Sequence, residues 1–178
     1  MDPKKLRLGH VLAILALVAV AGCQTTPSEP EIATAALQPT KGNKTKGEVT
    51  FEQVGGKVRV VGLVVGLKPN QEHGFHVHEA GDCSSGDGMS AKGHFNPQGK
   101  PHGHYGKSER HAGDMPNLKA DAKGRAQFSF ELDVLTVTPG PASVVGRGLI
   151  VHANPDDYTS QPVGNAGARL ACAVIQAG

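Results

Sequence analysis

Apolar and polar residues alternate strictly over residues 126–132, where Ala126, Phe128, Phe130 and Leu132 are separated by Gln127, Ser129 and Glu131. A period of two sends each kind to its own face of an extended chain, so this segment predicts a half-buried strand. Val49 and Phe51 alternate in the same way with Glu48, Thr50 and Glu52. Gly55-Gly56 then turns the chain into Lys57-Val58-Arg59-Val60, which predicts a hairpin. The phase slips at Val60-Val61, where a bulge is expected. Residues 32–37, 73–78, 149–152 and 169–175 are further strand candidates. Beyond the N-terminal leader no segment carries a sustained helical stripe. Short strands with glycine turns predict an all-β fold, an antiparallel sandwich or barrel. Stretches 79–117 and 153–167 resist strand assignment, and loops of that length in a compact domain are usually functional or disordered.

The ends divide the chain. Residues 1–22 have a basic start (Lys4, Lys5, Arg7) and an apolar run from Val11 to Ala21, shorter than the roughly 20 residues a spanning helix needs. Val20-Ala21-Gly22-Cys23 resembles the bacterial lipoprotein cleavage box. That resemblance implies a signal peptide, removal of 1–22 and a diacylglycerol on Cys23 that tethers the protein to a membrane surface. Residues 23–30 would be the lipidated N-terminus and a polar, proline-bearing linker, and 31–178 one domain. The expected location is the periplasm or cell envelope. Gln24 after Cys23, in place of an aspartate that would retain the protein at the inner membrane, slightly favours the outer one.

Charge and cysteine usage agree with export. The full chain carries a formal +2. The leader holds three cations against Asp2, so the processed chain is formally neutral and gives no reason to propose a nucleic-acid partner. Giving Cys23 to lipid leaves Cys83 and Cys172, which in an oxidising compartment would form a disulfide. It would close a loop of roughly 90 residues and contribute about 4 kcal/mol in the chain-entropy model.

The chemistry lies in the histidines. His76 and His78 are two apart on a candidate strand, so they project on one face from backbones about 6–7 Å apart, within reach of one metal ion. Phe75 and Val77 would face the core. In the first long loop His94, His102, His111 and Asp114 follow one another among glycines and prolines. Three imidazoles and a carboxylate make a sound tetrahedral zinc site, and a loop so poor in apolar residues would draw its order from the metal. His152 stands apart in a later strand.

Together these positions resemble the copper/zinc superoxide dismutase family, bacterial exported branch. The resemblance rests on His73-Gly-Phe-His-Val-His-Glu79, Gly93-His-Phe-Asn-Pro97, Arg110-His-Ala-Gly-Asp114, Val151-His152 and Gly164-Asn-Ala-Gly-Ala-Arg-Leu-Ala-Cys172. It implies a Greek-key β-sandwich or flattened barrel with two long functional loops. It further implies dismutation of superoxide to oxygen and hydrogen peroxide by one copper and one zinc ion per subunit. Copper would be held by His76, His78, His94 and His152, and zinc by His94, His102, His111 and Asp114, with His94 bridging the two. Asp156 would accept hydrogen bonds from ligand rings on both metals, Arg169 would stand at the mouth of the copper channel, and Cys83–Cys172 would pin the loop beneath it.

His73 is expected to be structural and hydrogen-bonded near the core, and His104 exposed rather than a ligand. Val163 stands where many relatives have a threonine. Lys92, Lys100 and Lys107 are candidates to steer an anion. A non-catalytic copper-binding lipoprotein is the alternative of a different class, and Arg169 with the complete ligand set argues against it. A copper-only dismutase would lack the His102–His111–Asp114 group. A purely structural sandwich would gain nothing from so many inward histidines. A homodimer is left open.

Overall fold

The computed structural model describes residues 31–178. The leader, Cys23 and the linker lie outside the described residues. Among the described residues ten strands run in chain order: β1 Ile32–Pro39, β2 Lys46–Val54, β3 Lys57–Val65, β4 Glu72–His73, β5 Phe75–His78, β6 Leu118–Lys119, β7 Arg125–Leu132, β8 Gly148–His152, β9 Arg169–Val174 and β10 Gln176–Ala177. A single 3-10 turn, Met89–Ala91, is the only helical element among the described residues.

The main sheet is antiparallel, in the order β5-β8-β9-β1-β2-β3-β7, with β10 added to β1. β1, β2 and β3 follow one another directly while β9 returns to lie beside β1, which is a Greek-key arrangement. The two end strands meet across the interior. Phe75 of β5 and Phe128 of β7 pack edge to face with ring centroids 5.3 Å apart, so the sheet curls into a flattened barrel. A short ribbon, β4 with β6, sits at that seam.

The inward positions that the period-two pattern selects do form the core. Ala33, Ala35, Leu37, Val49, Phe51, Val58, Val60, Ala126 and Leu132 are buried in one cluster with Phe75, Val77, Leu149 and Val151. Each large member contributes about 1.5–3 kcal/mol by burial.

Two expectations need correction. There is no bulge at Val60-Val61, because the β2–β3 register runs unbroken from Lys46 opposite Val65 to Val54 opposite Lys57. Val61 and Leu63 face outward, 40% and 46% exposed, and Gly62 takes the inward position between them. Phe128 stands opposite Gly62 and fills the space a side chain would need. The apparent slip in phase is therefore an inward glycine flanked by outward apolar residues. Nor is 73–78 one strand, because it divides at Gly74: His73 pairs with Leu118 in the ribbon, and β5 begins at Phe75.

The two long loops are where the sequence places them, the first holding only the 3-10 turn and isolated bridges, the second no strand. A methyl on Gly62 would lie 2.7 Å from both the Glu48 carbonyl oxygen and the Phe128 ring. Gly62→Ala should therefore lower stability by about 1–3 kcal/mol, read as a shift in the urea midpoint without a change in slope.

Candidate metal centre

The site is assembled on the free edge of β5. Beyond the β8 ladder that edge hydrogen-bonds the first long loop: Val77 N–H donates to the Gly113 carbonyl (3.1 Å), and Phe95 N–H to the Val77 carbonyl (2.8 Å). Gly113 can approach so closely because it has no side chain, since a Cβ there would overlap the Val77 carbonyl oxygen. The contact sets His94 beside His78 and Asp114 beside His76. β8 lies on the other side of β5, and its last residue, His152, stands at a register shift in the β8–β9 ladder.

The seven candidate ligands come together in two groups of four that share His94. His76, His78, His94 and His152 form one, and His94, His102, His111 and Asp114 the other. Within each group one donor atom per residue lies within 4.8 Å of the rest, and every member is buried.

What holds the rings from behind decides what they present in front. His78 Nδ1 is 2.9 Å from the Lys92 carbonyl oxygen and His152 Nδ1 is 3.2 Å from that of Gly167. A carbonyl can only accept, so each Nδ1 carries the proton and each neutral Nε2 a lone pair. These two Nε2 atoms face each other at 3.4 Å. His76 donates through Nε2 to Asp156 Oδ2 (2.9 Å), which leaves its buried Nδ1 without a partner, and His94 Nε2 is likewise unpartnered. Lone pairs aimed at one another in a buried space are unfavourable unless a cation stands among them. The residues present fit a metal ion.

The second group obeys the same logic around a carboxylate. Asp114 Oδ1 lies 2.8 Å from His94 Nδ1, 3.0 Å from His102 Nδ1 and 3.4 Å from His111 Nδ1. Its Oδ2 accepts the backbone N–H groups of His111 (2.9 Å) and Gly103 (3.1 Å). Asp156 Oδ1 accepts from His102 Nε2 at 2.9 Å. One carboxylate thus holds His76 of the first group and His102 of the second, as expected for Asp156.

Electrostatics match this geometry. Burial, with His76 alongside, pushes His94 down to about 3 against the pull of Asp114. Burial also disfavours a charge on His102, but hydrogen bonds to Asp114 and Asp156 outweigh it and raise that ring to about 9. His78 and His152 are held well below the usual imidazole range, chiefly by burial, with neighbouring histidines and the charge of Arg169 adding to it. Burial opposes ionisation of Asp114 and Asp156, yet the imidazole hydrogen bonds, His102 first, hold both well below the usual carboxylate range.

Arg169 opens β9 and is partly buried. It donates to the Gly88 carbonyl (2.6 Å) and the Lys92 carbonyl (2.5 Å), the same Lys92 oxygen that orients His78. Lys92 supplies it from a left-handed backbone, φ 63°. Cys83 and Cys172 form the expected disulfide, Cα atoms 5.9 Å apart, and pin the segment that carries both carbonyls. Ala91 packs against Ile150 and Cys172 beneath it.

His73 is buried and hydrogen-bonded, its Nδ1 2.8 Å from the His152 carbonyl oxygen. His104 belongs to neither metal group but is half-buried rather than exposed, stacked on Tyr105 at 4.2 Å and set edge-on to Tyr158 at 4.7 Å. Of the lysines, Lys92 pairs with Glu79 (3.5 Å) and Lys100 donates to the Ser108 carbonyl (2.7 Å).

The sequence reading missed the groups behind the ligands. The Lys92 and Gly167 carbonyls are invisible to it, because any residue supplies one. Asn117, whose side-chain amide pairs with the Asp156 backbone through bonds of 3.0 and 2.9 Å, and Arg110, buried against Asp133 at 2.6 Å, left only the weak signal of polar residues beside ligand motifs. Asp156→Asn replaces one acceptor oxygen by a donor, which one of the two imidazole N–H groups cannot use. We expect zinc retention in the His102 group to fall about 10–100-fold, measured by chelator-driven zinc release.

Comparison with known proteins places this geometry. A family model described as copper/zinc superoxide dismutase matches residues 45–175. A Cu-Zn superoxide dismutase of Paramecium bursaria Chlorella virus 1 is 45% identical over 136 residues, 73% of this chain and 72% of its own. One from Brassica juncea is 46% identical over 137 residues, 73% of this chain and 88% of its own. A crystal structure described as the clock protein EA4 superposes with a TM-score of 0.76 at 41% identity, covering 83% of this chain and 94% of that one. With the matched segment running from β2 through β9 and taking in both loops and all seven buried candidate ligands, the chain belongs to the copper/zinc superoxide dismutase family.

Proposed function

We infer that this chain is an enzyme that disproportionates superoxide, two anions and two protons yielding one oxygen and one hydrogen peroxide. The observation that carries the reading is the sharing of buried His94 between two adjacent four-donor groups. Copper is assigned to His76, His78, His94 and His152, since an all-imidazole set suits it. Zinc is assigned to His94, His102, His111 and Asp114, three imidazoles and a carboxylate. Bound there, copper supplies one-electron chemistry in both directions and zinc a fixed, redox-inert charge.

The residues do the rest. Arg169 presents a positive charge on a shelf of two carbonyls, and a small anion approaching His78 and His152 meets it first. His94 faces the copper group through Nε2, a buried nitrogen with no protein partner. With Nδ1 given to the zinc group, that atom would be free to hold and release one proton. Asp156, behind His76 and His102, takes their Nε2 protons and leaves Nδ1 of each ring as the atom turned toward its group. A copper carrier would need neither the shared ring nor the arginine.

We place the protein in the cell envelope, anchored through Cys23 after removal of 1–22. The position of β1 supports a workable tether. Pro39 pairs with Ala171 near Arg169, whereas Ile32 lies seven residues earlier, about 23 Å along the strand. A linker entering at Ile32 therefore joins the barrel at the end away from His152 and Arg169. The channel would face away from the membrane.

Arg169→Glu should cut superoxide turnover by more than about tenfold while copper and zinc contents stay near one each, because the change reverses charge and removes none of the seven candidate ligands. Turnover would be followed by pulse radiolysis, with metals by elemental analysis. Near-normal rates would remove Arg169 from the mechanism.

A further inference from the structure

The second loop touches the first at a point that neither the ligands nor Asp156 account for. Gln161 places its side-chain amide against the backbone of His102: Oε1 accepts the His102 N–H at 2.9 Å, and Nε2 donates to the His102 carbonyl at 2.9 Å. The pair is the pattern one strand makes with another, supplied here by a single side chain across 59 residues of sequence. The residue is exposed, but the backbone it grips belongs to a ligand that is only 4% exposed.

We propose that Gln161 is a positioning residue for the zinc ligand His102, acting as a clamp that makes zinc retention depend on the seating of the 153–167 loop. This rests on the assignment of His102 to the zinc group. His102 is then held on three sides: its backbone by Gln161, Nε2 by Asp156 Oδ1, and Nδ1 by Asp114 Oδ1. Two of those three holds come from the second loop. That loop is itself seated by the Asn117 amide on the Asp156 backbone, and by the Tyr158 hydroxyl, which accepts the Asn117 N–H at 2.9 Å. Gln161 is the element of this network that meets a ligand's main chain rather than its ring. Removing it frees the peptide of His102 to rotate, and Asp156 alone cannot fix both ring and backbone. By linkage the effect runs both ways, so zinc binding favours the seated loop to the degree that the seated loop favours zinc.

The test uses the full chain and three variants, Gln161→Ala, Gln161→Glu and Gln161→Asn. Zinc retention is measured against a chelator, and cobalt(II) placed in the zinc group reports ligand geometry through its visible spectrum. Loss of two charge-neutral hydrogen bonds should weaken zinc retention about tenfold in Gln161→Ala and shift the cobalt spectrum. Gln161→Glu keeps the acceptor but sets an oxygen against the His102 carbonyl, so it should do no better than alanine. Gln161→Asn falls one methylene short and should recover little. Copper retention by His76, His78 and His152 should change less than zinc. An unchanged cobalt spectrum and zinc release rate in Gln161→Ala would overturn the clamp, even if the metal-free protein melted lower. Failure of wild-type His102 to contribute to cobalt binding, seen with His102→Ala, would instead overturn the ligand assignment on which it rests.

Discussion

Everything in this molecule turns on imidazole rings held from behind by groups that can only accept. Two carbonyls and the two oxygens of Asp156 take the outward protons of His78, His152, His76 and His102. The lone pairs of His78, His152 and His76 are thereby turned inward, while His102 turns its other nitrogen toward Asp114. Burying several such atoms unpaired costs roughly 1–3 kcal/mol each, so the metal-free pocket is a destabilised place in a stable barrel. The same arrangement is what makes it a preorganised cation site. Folding energy from the core is stored as affinity and geometry at the centre.

The barrel supplies that energy and also the precision. β5 is an end strand of the sheet, and its unpaired edge serves as the template on which residues 93–95 and 113 align. An edge that would otherwise invite another chain is covered by the metal loop itself. The disulfide fixes the other flank, so the carbonyls of Gly88 and Lys92 stay where Arg169 and His78 need them. The Arg169 guanidinium and the His78 ring of the first group therefore share a single oxygen atom as support. A shift in that peptide would disturb both at once.

The strands were legible because their inward residues are apolar at every second position, and the ligands because histidine in that number has no structural use. The pattern misled where glycine occupied an inward slot, as at Gly62, or broke a strand, as at Gly74: a missing side chain reads as a change of phase. Asp156 was legible through resemblance, but Gln161 and Asn117 were not. Their role lies in hydrogen bonds to main chain across long sequence separations, and a lone amide in a polar loop gives no periodicity to read. Main-chain carbonyls leave no trace in a sequence at all, yet two of them fix rings of the first group. The half-burial of His104 was hidden for a related reason, since its partner Tyr158 lies 54 residues away in the other loop.

In this account the shared His94 joins the two groups into one catalytic unit rather than two storage sites. The most direct measurement is superoxide loss catalysed by the full chain as copper is titrated into zinc-loaded protein, with both metals quantified at each point. Turnover rising in proportion to copper and reaching its plateau at one copper and one zinc per chain is the predicted result. Stoichiometric copper binding with no turnover above that of the zinc-only protein would contradict it and leave a metal carrier.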